Sequence, residues 1–174
     1  MMVLAHTKID RRSHRMAFTL VEAVVSVLIV GALLVAALST VGASRLSQFK
    51  TSQASRGQLL AESLIAEILQ QDYRDPDGIA MFGPEFGEST VTRTDFDDVD
   101  DYDGWTKTPP QAKDGTQLPN LAGWQRSVTV EWVDPMDPTR VTSSETNTKR
   151  VTVIVADENV KVASMVALKT ASGL

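Results

Sequence analysis

At 174 residues the chain has room for one membrane segment and one modest soluble domain. A formal net charge of −5 supplies no general basic field for nucleic acid, and the absence of cysteine removes disulfides, thiolate nucleophiles and thiolate metal sites. Both histidines, His6 and His14, lie near the N-terminus, so the rest of the chain has no imidazole for acid–base work near neutral pH, which counts against an enzyme.

Residues 1–17 read as a basic leader, with Lys8, Arg11, Arg12 and Arg15 set against Asp10 alone. Residues 18–38 follow as a transmembrane helix, with one charge, Glu22, and no proline. A helix of that length is about 31 Å long, close to the hydrocarbon thickness of a bilayer at about 30 Å. The basic flank predicts a cytoplasmic N-terminus and a C-terminal domain on the outer side of the cytoplasmic membrane, a bias weakened by Arg45, Lys50 and Arg56 on the far flank. A charged side chain deep in a membrane helix costs roughly 2.5–3.5 kcal/mol on insertion scales, so Glu22 calls for a role and a partner.

Residues 39–73 predict a continuation of the same helix. "SRLSQFKTSQASR" is polar apart from Leu46 and Phe49 and reads as a solvated stretch. Beyond Gly57, Leu60, Leu64 and Ile68 form one row and Ala61, Ile65 and Leu69 the next, opposite Glu62, Ser63, Glu67 and Gln70. "DYRDPDG", with Pro76 and Gly78, marks the end of a helix of about 50 residues.

Residues 74–123 are rich in Gly, Pro and Asp and read as a loop region, with at most short strand pieces such as Ser89 to Thr94. "TDFDDVDDYDGW" gathers Asp95, Asp97, Asp98, Asp100, Asp101 and Asp103. Such an oxygen-rich loop suits Ca²⁺, and Asp97, Asp98, Asp100, Asp101 and Asp103 are its candidate ligands. The EF-hand frame of alternating ligands followed by Gly fails, because Asp98 and Asp100 are followed by Tyr102 where the next ligand is needed, and a solvated acidic loop without metal is the plainer expectation. No other cofactor is expected.

From Trp124 the period becomes two. "WQRSVTVEWV" sets Val128, Val130 and Trp132 on one face; Trp124 and Trp132 read as core. "KRVTVIVA" and "VKVASMVALK" flank the turn "DEN" and predict a hairpin, joined to the first strand across the loop "DPMDPTRVTSSETNT", in which "DPMDP" reads as a turn. Residues 124–174 thus predict an antiparallel sheet of three or four strands, packed on the helix stripe in an α+β fold.

The segment "RMAFTLVEAVVSVLIVGALLVAAL" closely resembles the N-terminus of type IV prepilins and of type II secretion pseudopilins. The resemblance implies a pilin-like fold and a non-enzymatic role as a structural subunit, a minor pilin or pseudopilin. It implies cleavage by a membrane prepilin peptidase between Ala17, which stands where the family usually has Gly, and Phe18, and N-methylation of Phe18. Glu22 is then the fifth residue of the mature chain, and "FTLVE" (Phe18, Thr19, Leu20, Val21 and Glu22) is the assembly signature. In that family the glutamate is thought to pair with the N-terminal amine of a neighbouring subunit. The implied partners are other subunits, the peptidase and an inner-membrane assembly platform. Gly31 also matches many relatives, and the helix-bending proline of major pilins is missing. "DYDGW" after an acidic loop is similar, more weakly, to minor pilins of mannose-sensitive haemagglutinin pili.

Two other readings remain open on the residues. The apolar run is an ordinary signal peptide with "VGA" before Ser44 as its cleavage site, releasing or anchoring a binding domain; its length exceeds the usual signal core. Alternatively, clustered aspartates hold a catalytic metal in an exported enzyme, which the missing His and Cys disfavour.

Overall fold

The computed structural model describes residues 19–76, 81–89 and 91–171. One long helix, α1 (Leu20–Ile68, 49 residues), precedes a small antiparallel sheet, giving the α+β, pilin-like arrangement expected. The chain divides after Ser47 into two compact units, each described by itself.

In the first unit, Thr19 begins α1. Its hydroxyl accepts the Glu22 N–H at 3.3 Å, satisfying one of the helix's free first-turn donors, and its carbonyl accepts the first intrahelical bond from the Ala23 N–H at 3.1 Å. Every described residue of this unit is exposed, including Leu20, Val24, Leu28, Leu34 and Leu38. Two polar side chains fold back on the helix: Ser39 Oγ donates to the Val35 carbonyl and Thr40 Oγ1 to that of Ala36, both at 2.9 Å. By length and composition the helix is apolar enough to cross a membrane, with a mean hydropathy of 2.6 over its most apolar stretch.

The second unit holds the core. The expected stripe is buried: Leu60, Ala61, Leu64, Ile65 and Ile68 pack against Val128, Val130, Val151, Val153 and Val155 of the sheet. Its strands are β1 (Thr106–Lys107), β2 (Trp124–Asp134), β3 (Asp137–Val141), β4 (Thr148–Asp157) and β5 (Val160–Thr170). They run in the order β1-β2-β4-β5, with β3 also paired to β2 and all pairs antiparallel. Register aligns Arg126, Val128 and Val130 with Val155, Val153 and Val151, and these in turn with Ala163, Met165 and Ala167. Because side chains alternate, these residues form the inner face of three strands.

Gly57 lets β5 approach the helix. A Cβ there would stand 2.8 Å from Val162 Cγ1 and 3.2 Å from Ala163 Cβ. The 157–159 hairpin turn occurs where expected, with Glu158 and Asn159 at positive φ.

Four expectations need correction. Ser89 to Thr94 is not a strand: residues 91–95 bend, held by the Arg93 N–H on the Lys113 carbonyl at 3.0 Å. The 134–148 connection is not all loop, because a register shift at Val133/Asp134 turns the chain back and pairs β3 with β2. That shift also buries Val133 and leaves Trp132 half-buried, edge-on to Phe82 at 4.8 Å, while Trp124 is core as expected. The helix stops at Ile68, short of residue 73, and carbonyls just beyond its end are taken by lysines of the sheet. Lys169 Nζ donates to the Leu69 and Gln71 carbonyls at 3.1 and 2.8 Å, and Lys149 Nζ to that of Tyr73. Cations there also complement the helix dipole.

Candidate functional site

Two regions carry the candidate residues. The first is the start of α1. Glu22 is solvent-exposed in the first turn, where the dipole favours a carboxylate. Its backbone is fixed by Thr19, and the spacing Thr19-Leu20-Val21-Glu22 is that of a capping box. The helix therefore has a local start signal independent of any cleavage. Leu20 and Val21 are exposed beside Glu22. Ala17 and Phe18, the expected cleavage pair, lie outside the described residues, as does the leader.

The second region is the acidic loop, and it is only partly solvated. Asp98, Asp100 and Asp101 are buried at 1%, 3% and 1% exposure, whereas Asp97 and Asp103 are exposed. Most of their oxygens serve the backbone. Asp98 Oδ1 accepts the N–H groups of Asp100 and Asp101 at 2.7 and 3.3 Å; Asp101 Oδ2 accepts those of Asp97 and Asp98 at 2.9 and 3.1 Å. These reciprocal bonds wind Asp100–Tyr102 into a turn of 3₁₀ helix. Asp103 Oδ1 accepts the Val130 N–H at 2.8 Å, and the Trp105 carbonyl accepts that of Val128 at 2.9 Å, so the loop covers part of β2. Asp100 Oδ2 accepts the Gly83 N–H at 3.2 Å, while Oδ1 forms a buried ion pair with Lys149. The five aspartates do not converge as a ligand set; four spend side-chain oxygens on the fold, and Asp97 offers its carbonyl to the Asp72 N–H at 3.0 Å.

Burial comes first, and the adjoining Asp100 second, among the causes that push the Asp98 carboxyl up to about 8; Lys149 opposes them. A second charged cluster lies beside it. Glu67 of α1 holds Arg93 through two bonds, 2.8 and 3.1 Å, and accepts the Tyr102 hydroxyl at 3.1 Å. The Arg93 guanidinium lies 4.2 Å from the centre of the Trp105 ring. Arg126, inward-facing on β2, bonds to the Gln111 carbonyl and to Ser63 Oγ at 3.3 Å. Burial, then repulsion from Arg93, draws it down to about 10, so it stays charged at neutral pH. Glu67, expected on a water-facing side of the helix, instead fastens the 91–113 segment, while Ser63 stays exposed as expected and accepts from Arg126.

Sequence reading did not single out Glu85 and Glu88. One carboxylate oxygen from each of Glu85, Glu88 and Asp101 lies within 4.8 Å of the others. Like charges at that distance repel by roughly 3 kcal/mol at an effective dielectric constant of 20. Burial, followed by the charges of Asp101, Glu88 and Asp75, pushes the Glu85 carboxyl up to about 7. Glu85 Oε1 and Asp101 Oδ1 are shielded from solvent and accept no hydrogen bond. The only signal in the sequence was the E-x-x-E spacing beside Gly87, and that pattern is common on ordinary turns.

Comparisons of the chain with protein-family models, with curated proteins and with solved structures find no match.

Proposed function

We propose that the chain is a non-enzymatic structural subunit, a minor pilin or pseudopilin, anchored in the cytoplasmic membrane by α1. It is assembled with other subunits through that helix into a type IV pilus or a type II secretion pseudopilus. In this reading the basic leader stays cytoplasmic, prepilin peptidase cuts between Ala17 and Phe18, and the new Phe18 amine is methylated before assembly.

The observation that carries the reading is the first half of α1. It is apolar on all sides and exposed throughout, and a helix of that kind is covered by lipid or by other helices. Its one carboxylate sits one turn from the expected new amine, so an amine–carboxylate pair between neighbouring subunits removes an unmatched charge and sets their axial register. The uninterrupted helix around Ser44 favours this over an ordinary signal peptide, since proteolytic nicking prefers exposed loop tips.

In cells with a working peptidase and assembly platform, Glu22→Ala should leave the membrane-bound pool intact. It should lower the amount of this subunit in sheared fibres by about tenfold or more, the factor set by losing an interaction of about 1.4 kcal/mol or greater. Incorporation equal to that of the parent chain contradicts the role given to Glu22.

A further inference from the structure

We propose that Glu85, Glu88 and Asp101 form a Ca²⁺ site that clamps the 81–89 segment to the 3₁₀ turn. It is independent of the assembly reading and differs from the aspartate set that the loop sequence suggests, sharing only Asp101. Two observations carry it. The first is convergence: three carboxylates from two separate segments place oxygens within 4.8 Å of one another. The second is the state of two of these carboxylates. Asp101 is 1% exposed, and its Oδ2 is already occupied by two backbone N–H groups. That leaves Oδ1 with no donor and shielded from water, and Glu85 Oε1 is in the same condition. Buried carboxylate oxygens without donors are costly, and a cation removes the cost of both at once.

The donor chemistry selects the ion. An all-carboxylate set suits a hard divalent cation and lacks the nitrogen and sulfur donors that Zn²⁺ and copper prefer. At the 2.3–2.6 Å bond lengths of Ca²⁺, ligands on opposite sides stand up to about 5 Å apart, which accommodates the observed spread. Mg²⁺, at 2.0–2.1 Å, requires about 4 Å and near-ideal octahedral geometry. Glu85 and Glu88 are positioned ahead of binding, because the Glu85 N–H donates to Glu88 Oε2 at 3.0 Å and the Glu88 N–H to the Glu85 carbonyl at 3.2 Å.

The test is thermal unfolding and titration calorimetry of the full chain in detergent micelles, stripped with chelator and supplied with CaCl₂ or MgCl₂ alone. For a site in the affinity range of extracellular modules, 5 mM Ca²⁺ should raise Tm by about 5 °C, and Mg²⁺ by less than half as much. Glu85→Gln and Glu88→Gln, which leave the buried Asp101 and its backbone bonds intact, should fold and lose at least half of the Ca²⁺ response. No Ca²⁺ response in the parent chain overturns the site and means that the carboxyls share protons instead. An undiminished response in both variants, or an equal response to Mg²⁺, also overturns it.

Discussion

Lys149 and Asp100 form an ion pair with both side chains nearly out of solvent, at 3% and 5% exposure, and Lys149 also binds the Tyr73 carbonyl. Removing one member of such a pair leaves the other charged and unmatched. Lys149→Ala should therefore destabilise the second unit by about 3–5 kcal/mol, measured by denaturant unfolding. The pair Arg140–Asp134 is the control: Arg140 is 68% exposed, and Arg140→Ala should cost under about 1 kcal/mol. Asp98, packed against Asp100, Asp101 and Lys149, gives a pH signature. Its folded value of about 8 exceeds its ordinary 3.8, so between those limits the folded state holds more protons than the unfolded one. Stability should fall as pH rises from 5 to 8, with a ceiling of about 1.4 kcal/mol per pH unit for one proton. Tm measured across that range in chelator should decline in the parent chain and flatten in Asp98→Asn; a Tm that climbs with pH contradicts the assignment.

At the scale of elements, the helix and the three long strands were legible because each repeats its own period over ten residues or more. The same alternation held a warning that went unread. Arg126 shares the inner face with Val128 and Val130, and Lys149 shares it with Val151 and Val153, so both had to be buried and paired. Their partners were not legible, since Gln111, Ser63, Asp100 and Tyr73 reach them only through the folded path of the chain. The 75–123 region stayed opaque for a related reason: its order comes from side chains bonding the backbone, which leaves no periodic trace. β3 was missed because its pairing depends on a register shift in β2 and not on its own sequence. Gly57 marks a close approach of helix and sheet. Gly57→Ala gains about 1 kcal/mol of helix propensity but drives a methyl into Val162, whose branched side chain has few rotamers. Overpacking of about 1–3 kcal/mol should prevail and lower Tm, whereas Gly42→Ala, with nothing within 4 Å, should not lower it.

At the scale of the whole molecule, the chemistry divides by unit. The second unit spends its buried charge on holding a loop region to one helix and one sheet, and its carboxylates form the candidate cation clamp. The first unit has no core of its own among the described residues; its side chains are exposed, and its one described carboxylate stands at the helix start. Such a segment has meaning in a membrane or among copies of itself. In the proposed reading Glu22 pairs with an amine that exists only after cleavage, so processing is the step on which that reading turns. The most direct measurement is the intact mass, with N-terminal sequencing, of the chain recovered from membranes of cells carrying a prepilin peptidase. A chain beginning at N-methylated Phe18 is the predicted result; one that begins at Ser44, or that keeps residues 1–17 despite an active peptidase, contradicts the pilin reading.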